Sequence, residues 1–471
     1  MTIGNTNYIN FINMLQELQI KNFKAWADSG KIRLAPLTIF CGNNSSGKSS
    51  IAQFLLMLKQ TIESSDRKRV LHLGDKDSLV DLGTFKEMIF EHKEDNKIEF
   101  NFTFDTSEDI TITDVTTPNS VDTYSKLKFE ASVVFEKNKN KITVDNLKYT
   151  LLNGKEMSFG LSSSGLESKY VLKAENYATI RQKGRAWQLP QPGNFFGFPD
   201  EAVEYFQNTR FLNDLSLSII KLFKSIHYVG PLRDNPLRSY NFSGEIPPNV
   251  GINGEIAVNA LLAAKDRILS KGLWQRQESF ESLIARWLKD MGLIYEFKVT
   301  PIAEGRKEHE VTLKIHKDSP SVLITDVGFG ISQILPVLVQ CFYVAPKSTI
   351  IFEQPEIHLH PSVQSHLGDL FIETTKSREN GKDREIQIIV ESHSEHLIRR
   401  IQRRIAEGII NPIDVAIYFI DQEKGQAKLH ELQIDLFGNV TNWPDDFFGN
   451  EIEDLAAMTR AAMDRKKKNN D

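Results

Sequence analysis

Gly42-Asn43-Asn44-Ser45-Ser46-Gly47-Lys48-Ser49 decides how the rest of this 471-residue chain is read. On its N-terminal side, Leu37-Thr38-Ile39-Phe40-Cys41 is a short apolar run entered from Pro36, which predicts a buried strand. On its C-terminal side, Ile51, Phe54, Leu55, Leu58 and Ile62 recur at helical spacing. A strand, a glycine-rich loop and a helix N-terminus in that order aim successive backbone N–H groups, and the positive end of the helix dipole, at a chain of phosphates. Gly42 and Gly47 allow backbone angles and a closeness to phosphate that a side chain would block. Lys48 supplies a point charge for β- and γ-phosphates, and the Ser49 hydroxyl can ligand Mg²⁺. The segment from Gly42 through Ser50 is therefore expected to bind a nucleoside triphosphate.

The remaining composition narrows the setting. Apolar residues make up 40% and charged residues 25%, an ordinary globular balance that argues against global disorder. A net charge of −5 excludes a wholly basic nucleic-acid binder. Cys41 and Cys341 cannot build a disulfide framework, and no secretory signal is visible, so a cytoplasmic location is expected. The most apolar stretch, Ile334 to Ala345, is interrupted by Pro336 and falls short of the ~20 residues that a membrane span needs. No membrane partner is expected.

Four further segments select the class of P-loop protein. Leu15 to Trp26 holds Asn22-Phe23-Lys24 shortly before the P-loop strand. Thr349-Ile350-Ile351-Phe352 is a buried β run ending in Glu353-Gln354-Pro355-Glu356-Ile357-His358-Leu359-His360-Pro361. Gln387-Ile388-Ile389-Val390 is another, ending in Glu391-Ser392-His393-Ser394-Glu395-His396. Between them and the P-loop, Asp326-Val327-Gly328-Phe329-Gly330-Ile331-Ser332-Gln333 precedes an apolar helix. In this order the segments resemble the RecF- and SMC-like ABC ATPases. With Tyr228-Val229-Gly230-Pro231-Leu232-Arg233 and Gly438-Asn439-Val440-Thr441-Asn442-Trp443-Pro444, the chain resembles a stand-alone subfamily related to the anti-phage ATPases of Septu, PARIS and overcoming-lysogenization-defect systems.

That resemblance implies an α/β fold: an ABC-type ATPase head, with a parallel sheet core, an antiparallel β lobe and an inserted mixed α/β lobe. It implies ATP and Mg²⁺ as cofactors. Lys48, Glu353, Gln354 and His393 take the catalytic positions, with Ser49 and Glu353 on the metal and Lys24 near the nucleotide. Gly328, Gly330 and Ser332 form the signature offered to a partner subunit's ATP, and Glu356, His358 and His360 fall in the D-loop. It further implies a homodimer or higher homo-oligomer joined through the ATP sites, and a separate effector, a nuclease. Only 78 residues follow His393, too few for a fused nuclease domain.

One departure bears on rate. ABC-type ATPases carry Asp-Glu where this chain has Glu353-Gln354, and Gln354 cannot take a proton as a carboxylate does. Loss of a general base typically costs ~10²–10⁴ in rate. Either the amide orients water adequately, or Glu356 or His393 takes over, or the protein hydrolyses slowly and works as an ATP-held clamp. The His/Glu-rich segments also invite a zinc reading, set aside in favour of D-loop and switch roles. Arg399, Arg400, Arg403 and Arg404 form a basic helix face that is either solvated or a contact for nucleic acid, the alternative reading being a RecF-like DNA clamp. Arg233 is read as either a regulatory residue or one half of a structural salt bridge. The tail Arg465 to Lys468 is read as a frayed, solvated end.

Domain limits are expected at 14–150 for the first part of the head and 151–295 for a loop-rich and helical insertion. The second part of the head should occupy 296–435, and a C-terminal extension 436–471. Alternation at Ile98, Phe100, Phe102 and Phe104 and at Phe129, Ala131, Val133 and Phe135 predicts the antiparallel lobe. Residues 152–194 lack period and are expected to be loop. The stripe Phe280, Leu283, Ile284, Trp287 and Leu288 predicts a packed helix, and no sustained heptads predict a long coiled coil.

Overall fold

A computed structural model describes residues 14–113, 121–164, 169–184, 188–272, 275–444, 457–463 and 465. Lys466, Lys467 and Lys468 lie outside the described residues.

The P-loop strand and the strands that end in Glu353 and Glu391 meet on one six-stranded sheet. Its order is Ile226–Val229, Thr349–Glu353, Gln387–Glu391, Leu37–Gly42, Val415–Glu423 and Gln426–Glu431. The first five strands are parallel and the last is antiparallel. Parallel strands covered on both faces read as continuous apolar runs, which is why these segments lack alternation. Phe40, Ile351, Ile389, Tyr418 and Ile420 face one hydrophobic core, while Leu37, Ile39, Ile350, Phe352, Ile388 and Val390 face the other.

The first core is shared with an eight-stranded antiparallel sheet. Its main path runs Trp26–Asp28, Leu15–Phe23, Ile98–Thr113, Val121–Glu136, Lys141–Leu152, Met157–Ser163 and Tyr170–Glu175, with Ile32–Arg33 paired to Leu15–Phe23. Two helices lie against it, the P-loop helix Lys48–Glu63 and Leu212–Lys224. Phe54 meets Phe100 edge-on at 5.1 Å, and Phe223 meets Phe102 at 5.5 Å. The loop expected over 152–194 is thus corrected in part: Met157, Phe159 and Leu161 alternate inward and extend the lobe by a hairpin. The alternation Met157-Ser158-Phe159-Gly160-Leu161 is short, and the expectation of a loop over 152–194 passes over it. The expected limit at 150 falls inside a strand.

The second core is built from the helices Ala257–Ala264, Phe280–Asp290, Phe329–Tyr343, Pro361–Lys376 and Glu395–Ala406. Residues 151–295 therefore do not stand apart as one lobe. Their first part packs in the first core, their last part in the second, and Ile226–Val229 pairs with Thr349–Glu353 at the edge of the parallel sheet. Smaller antiparallel sheets flank the second core, one of them pairing Ile268–Ser270 with Arg378–Glu379. Ile434, Val440 and Trp443 pack against the same core. Among the described residues no helix is long and apolar enough to cross a membrane.

Candidate nucleotide site

The P-loop leaves the buried strand Leu37–Gly42 and enters the helix Lys48–Glu63 through Gly47, whose φ is 101°. Gly42 has φ 141°, and a Cβ there would lie 2.0 Å from the Ile420 carbonyl oxygen, so no other residue fits. Asn43, Asn44 and Ser45 are exposed, whereas Ser46, Lys48 and Ser50 are buried. The loop is held from outside. Gln422 donates to the Ser45 carbonyl at 2.7 Å, and the buried Trp26 indole donates to the Gly47 carbonyl at 3.2 Å. Lys48 folds back onto the carbonyls of Gly42 and Asn43. Desolvation lowers its pKa, opposed by the charge of Glu391.

Parallel register then sets the acidic end of the site. Glu353 and Glu391 close neighbouring strands and pair directly across them. The Ser49 hydroxyl donates to Glu391 Oε1 at 2.9 Å, and the Tyr228 hydroxyl donates to Glu353 Oε2 at 2.6 Å. Burial, reinforced by the charge of Glu353, pushes the Glu391 carboxyl up to about 7, while Ser49 and Lys48 work the other way. Its second oxygen, Oε2, is buried without a partner. A hydroxyl and two adjacent carboxylates, one of them with an orphaned oxygen, form an all-oxygen donor set that fits Mg²⁺. Ser49 and Glu353 were expected there. Glu391 and Tyr228 were not, although Glu391 ends an apolar run just as Glu353 does.

Gln354 has φ 45°, and its backbone N–H donates to the Glu391 carbonyl at 2.8 Å, tying the turn after one strand to the end of the next. Glu356 is buried, and its Oε1 accepts the His393 backbone N–H at 2.6 Å. Desolvation raises its pKa. The exposed His393 ring has a lowered pKa from partial burial and the nearby charge of Lys48. His358 and His360 are exposed, and His360 caps the helix Pro361–Lys376 by accepting from the Ser362 N–H at 3.3 Å. Lys24 reaches Gln53 Oε1 at 2.6 Å, further along the P-loop helix, so its neighbour Trp26 is the residue that touches the loop.

The segment Gly328 to Ser332 opens the helix Phe329–Tyr343, with Gly328 at the N-cap and Ser332 buried. No neighbouring atom lies within 4 Å of where a Cβ of Gly328 or Gly330 would sit. Arg238 reaches Asp326 at 3.2 Å and Gln340 accepts from the Val250 N–H at 3.1 Å, which ties this element to the 230–260 region.

Two other expectations can be placed. Neither His/Glu-rich segment gathers as a metal site; the one His/carboxylate trio that converges among the described residues is Asp421, Glu423 and His430. The basic helix face is internally engaged. Arg400 and Arg404 both pair with Asp369, at 2.5 and 2.6 Å, while Arg403 pairs with Glu407 at 2.7 Å. Arg399 pairs with Glu395 at 3.1 Å and stacks on Trp443.

No curated protein matches the chain in sequence. Among solved structures it is similar to an SMC head bound to the C-winged helix domain of ScpA, at 13% identity and TM-score 0.40, covering 90% of this chain and 98% of that one. It is also similar to the SMC head domain from Thermotoga maritima, at 11% identity and TM-score 0.39, covering 89% and 99%. A Pyrococcus furiosus Smc head with an extended coiled coil, bound to the C-terminal domain of ScpA, shares 12% identity at TM-score 0.36, covering 89% and 96%. Residues 410–458 match a family described as a protein of unknown function (DUF3696). Residues 37–399, well over half of the chain, match the family model described as AAA domain, putative AbiEii toxin, Type IV TA system, and the chain belongs to that family of P-loop AAA domains.

Proposed function

We propose that the chain is an ATP-binding, slowly hydrolysing ATPase that acts as a nucleotide-controlled clamp and regulates a separate effector, a nuclease, in bacterial anti-phage defence. The observation that carries this reading is the line Lys48–Ser49–Glu391–Glu353 ending at Gln354. It joins a complete phosphate and metal cradle to an amide where hydrolysis calls for a carboxylate. Lys48 binds the β- and γ-phosphates, and the backbone N–H groups of the loop orient them. Ser49, Glu353 and Glu391 would hold Mg²⁺, which would supply positive charge to offset the negative charge of the phosphates. The Gln354 amide orients a water but takes no proton from it. The ATP-bound state is therefore long-lived, which suits a switch better than a motor.

The open space beside Gly328, which is exposed, and Gly330, which is half-buried, supports homo-oligomerisation through the ATP sites, with the signature of one copy meeting the nucleotide of another. The family description supports a toxin–antitoxin or phage-abortive setting, and the nuclease effector extends that setting. The DNA-clamp alternative loses its main sequence feature, because carboxylates already hold the arginines of the helix Glu395–Ala406.

The test is the solution mass of the full chain without nucleotide, with ATP–Mg²⁺, and with ATP–Mg²⁺ after Lys48→Ala, while phosphate release is followed. The expected result is ATP-dependent association that Lys48→Ala abolishes, with release below the ~1 s⁻¹ floor of typical enzymes. Turnover of tens per second, or no dependence of mass on ATP, sinks the clamp.

A further inference from the structure

Arg233 stands four residues beyond the end of the edge strand Ile226–Val229, on the same side of the parallel sheet as the P-loop and the acidic cluster. It is 8% exposed. Its three guanidinium nitrogens, Nε, Nη1 and Nη2, are all buried and all lack a hydrogen-bond partner. The backbone around it is fixed, with the Gly230 N–H donating to Ile252 at 2.8 Å and the Asp234 N–H to Asn253 at 3.0 Å. Glu356 and the Tyr228 hydroxyl act on it electrostatically, but among the described residues it forms no ion pair. Glu356 keeps its own Oε2 buried and unpaired. A buried cation and a neighbouring buried carboxylate, both unsatisfied, are costly for a fold to keep unless a ligand completes them.

The surroundings restrict that ligand. Burial rules out the side chain of a docking protein. Three carboxylates, Glu353, Glu356 and Glu391, repel a free anion. An anion enters only if something else carries it in, and the P-loop with its metal does that for one group. The edge strand before Arg233 stands three places from the P-loop strand, roughly 14 Å at ~4.8 Å a step, so the arginine side chain and the phosphate chain must span that gap together; Tyr228 on the edge strand already covers the first step by reaching Glu353.

Building on the ATPase reading above, we propose that Arg233 binds the terminal phosphoryl group of the bound nucleoside triphosphate, making the site distinguish ATP from ADP. Arg233 then marks whether the terminal phosphate is present, and Glu356 links it to the His393 backbone N–H and so to the start of the helix Glu395–Ala406.

The experiment compares Mg²⁺-dependent binding of ADP and of a non-hydrolysable ATP analogue by the full chain, as wild type, Arg233→Gln and Arg233→Lys. Arg233→Gln should weaken the analogue about 10- to 100-fold while ADP stays within about 3-fold, with Arg233→Lys in between. Equal losses for both nucleotides, or none for either, overturn the assignment. If Arg233→Gln does not fold, a structure of the wild type with the analogue decides: a guanidinium beyond hydrogen-bond reach of the γ-phosphate overturns it. A wild type that binds neither nucleotide brings down the ATPase reading and this assignment together. A wild type that binds both, without discrimination by Arg233, removes only the latter.

Discussion

The antiparallel lobe and the carboxyl edge of the parallel sheet are both buried, yet they are furnished in opposite ways. In the lobe, Phe129 touches the rings of Phe100, Phe102, Tyr149 and Phe195, and the Tyr149 hydroxyl donates to the Phe196 carbonyl at 2.6 Å. Along its strands only Thr106, among the described residues, leaves a buried side-chain oxygen without a partner. At the sheet edge, Ser46, Glu356 and Glu391 each leave an oxygen, and Arg233 three nitrogens, without a partner within one site. The lobe carries stability and the edge forgoes some of it to hold a charged ligand, a division common at functional sites.

Phe129→Ala presses on the first half of that comparison and should have the largest effect. Removing the hub of an aromatic cluster leaves a cavity worth about 3–5 kcal/mol. Chemical denaturation should show that loss, while nucleotide affinity per folded molecule stays unchanged. A matching fall in affinity would mean that the lobe shapes the site directly and the division is false. Gln354→Glu presses on the second half. A carboxylate placed after Glu353 supplies the missing base and should raise phosphate release by ~10²-fold, with little change in stability. An unchanged rate would place the limit on conformational opening rather than on proton transfer.

How much of this could be read in advance depended on whether the information was local. The P-loop is a contiguous strand, loop and helix, and the alternation at Phe100, Phe102 and Phe104 sits on one strand, so both are visible in sequence. Glu391 meets Ser49 across 342 residues, and Tyr228 meets Glu353 across 125. Those meetings depend on strand order and parallel register, which no local spacing encodes. The same reason hid the pairing of Ile268–Ser270 with Arg378–Glu379 and the place of Ile226–Val229 in the core sheet. The internal partners of the arginine face were hidden for a related reason. Its partner Asp369 lies on the helix Pro361–Lys376, and only helix packing shows that Arg400 and Arg404 are engaged by it.

Glu391→Gln gives the sharpest test of the division, because it should move stability and function in opposite directions. Burial and the charge of Glu353 raise the folded-state pKa of Glu391 to about 7, against an unfolded carboxylate near ~4.3. A raised acid binds its proton more tightly when folded. It therefore costs nothing below the unfolded pKa, and its cost grows as pH rises from ~4.3 to about 7 and then stays level. Glutamine keeps the shape and removes the charge. With a chelator present, the variant should match wild type at pH 4 and exceed it at pH 8 by up to about 4 kcal/mol, the linkage equivalent of a rise from ~4.3 to about 7. The same substitution takes a carboxylate from the metal's donor set, so Mg²⁺-dependent ATP binding should weaken. Thermal melts at the two pH values, each with and without ATP–Mg²⁺, check both signs in one series. A variant less stable than wild type at pH 8 would mean that the ionised carboxylate, through its hydrogen bond from Ser49 and its proximity to Lys48, stabilises the empty fold and that the edge gives up nothing for its ligand.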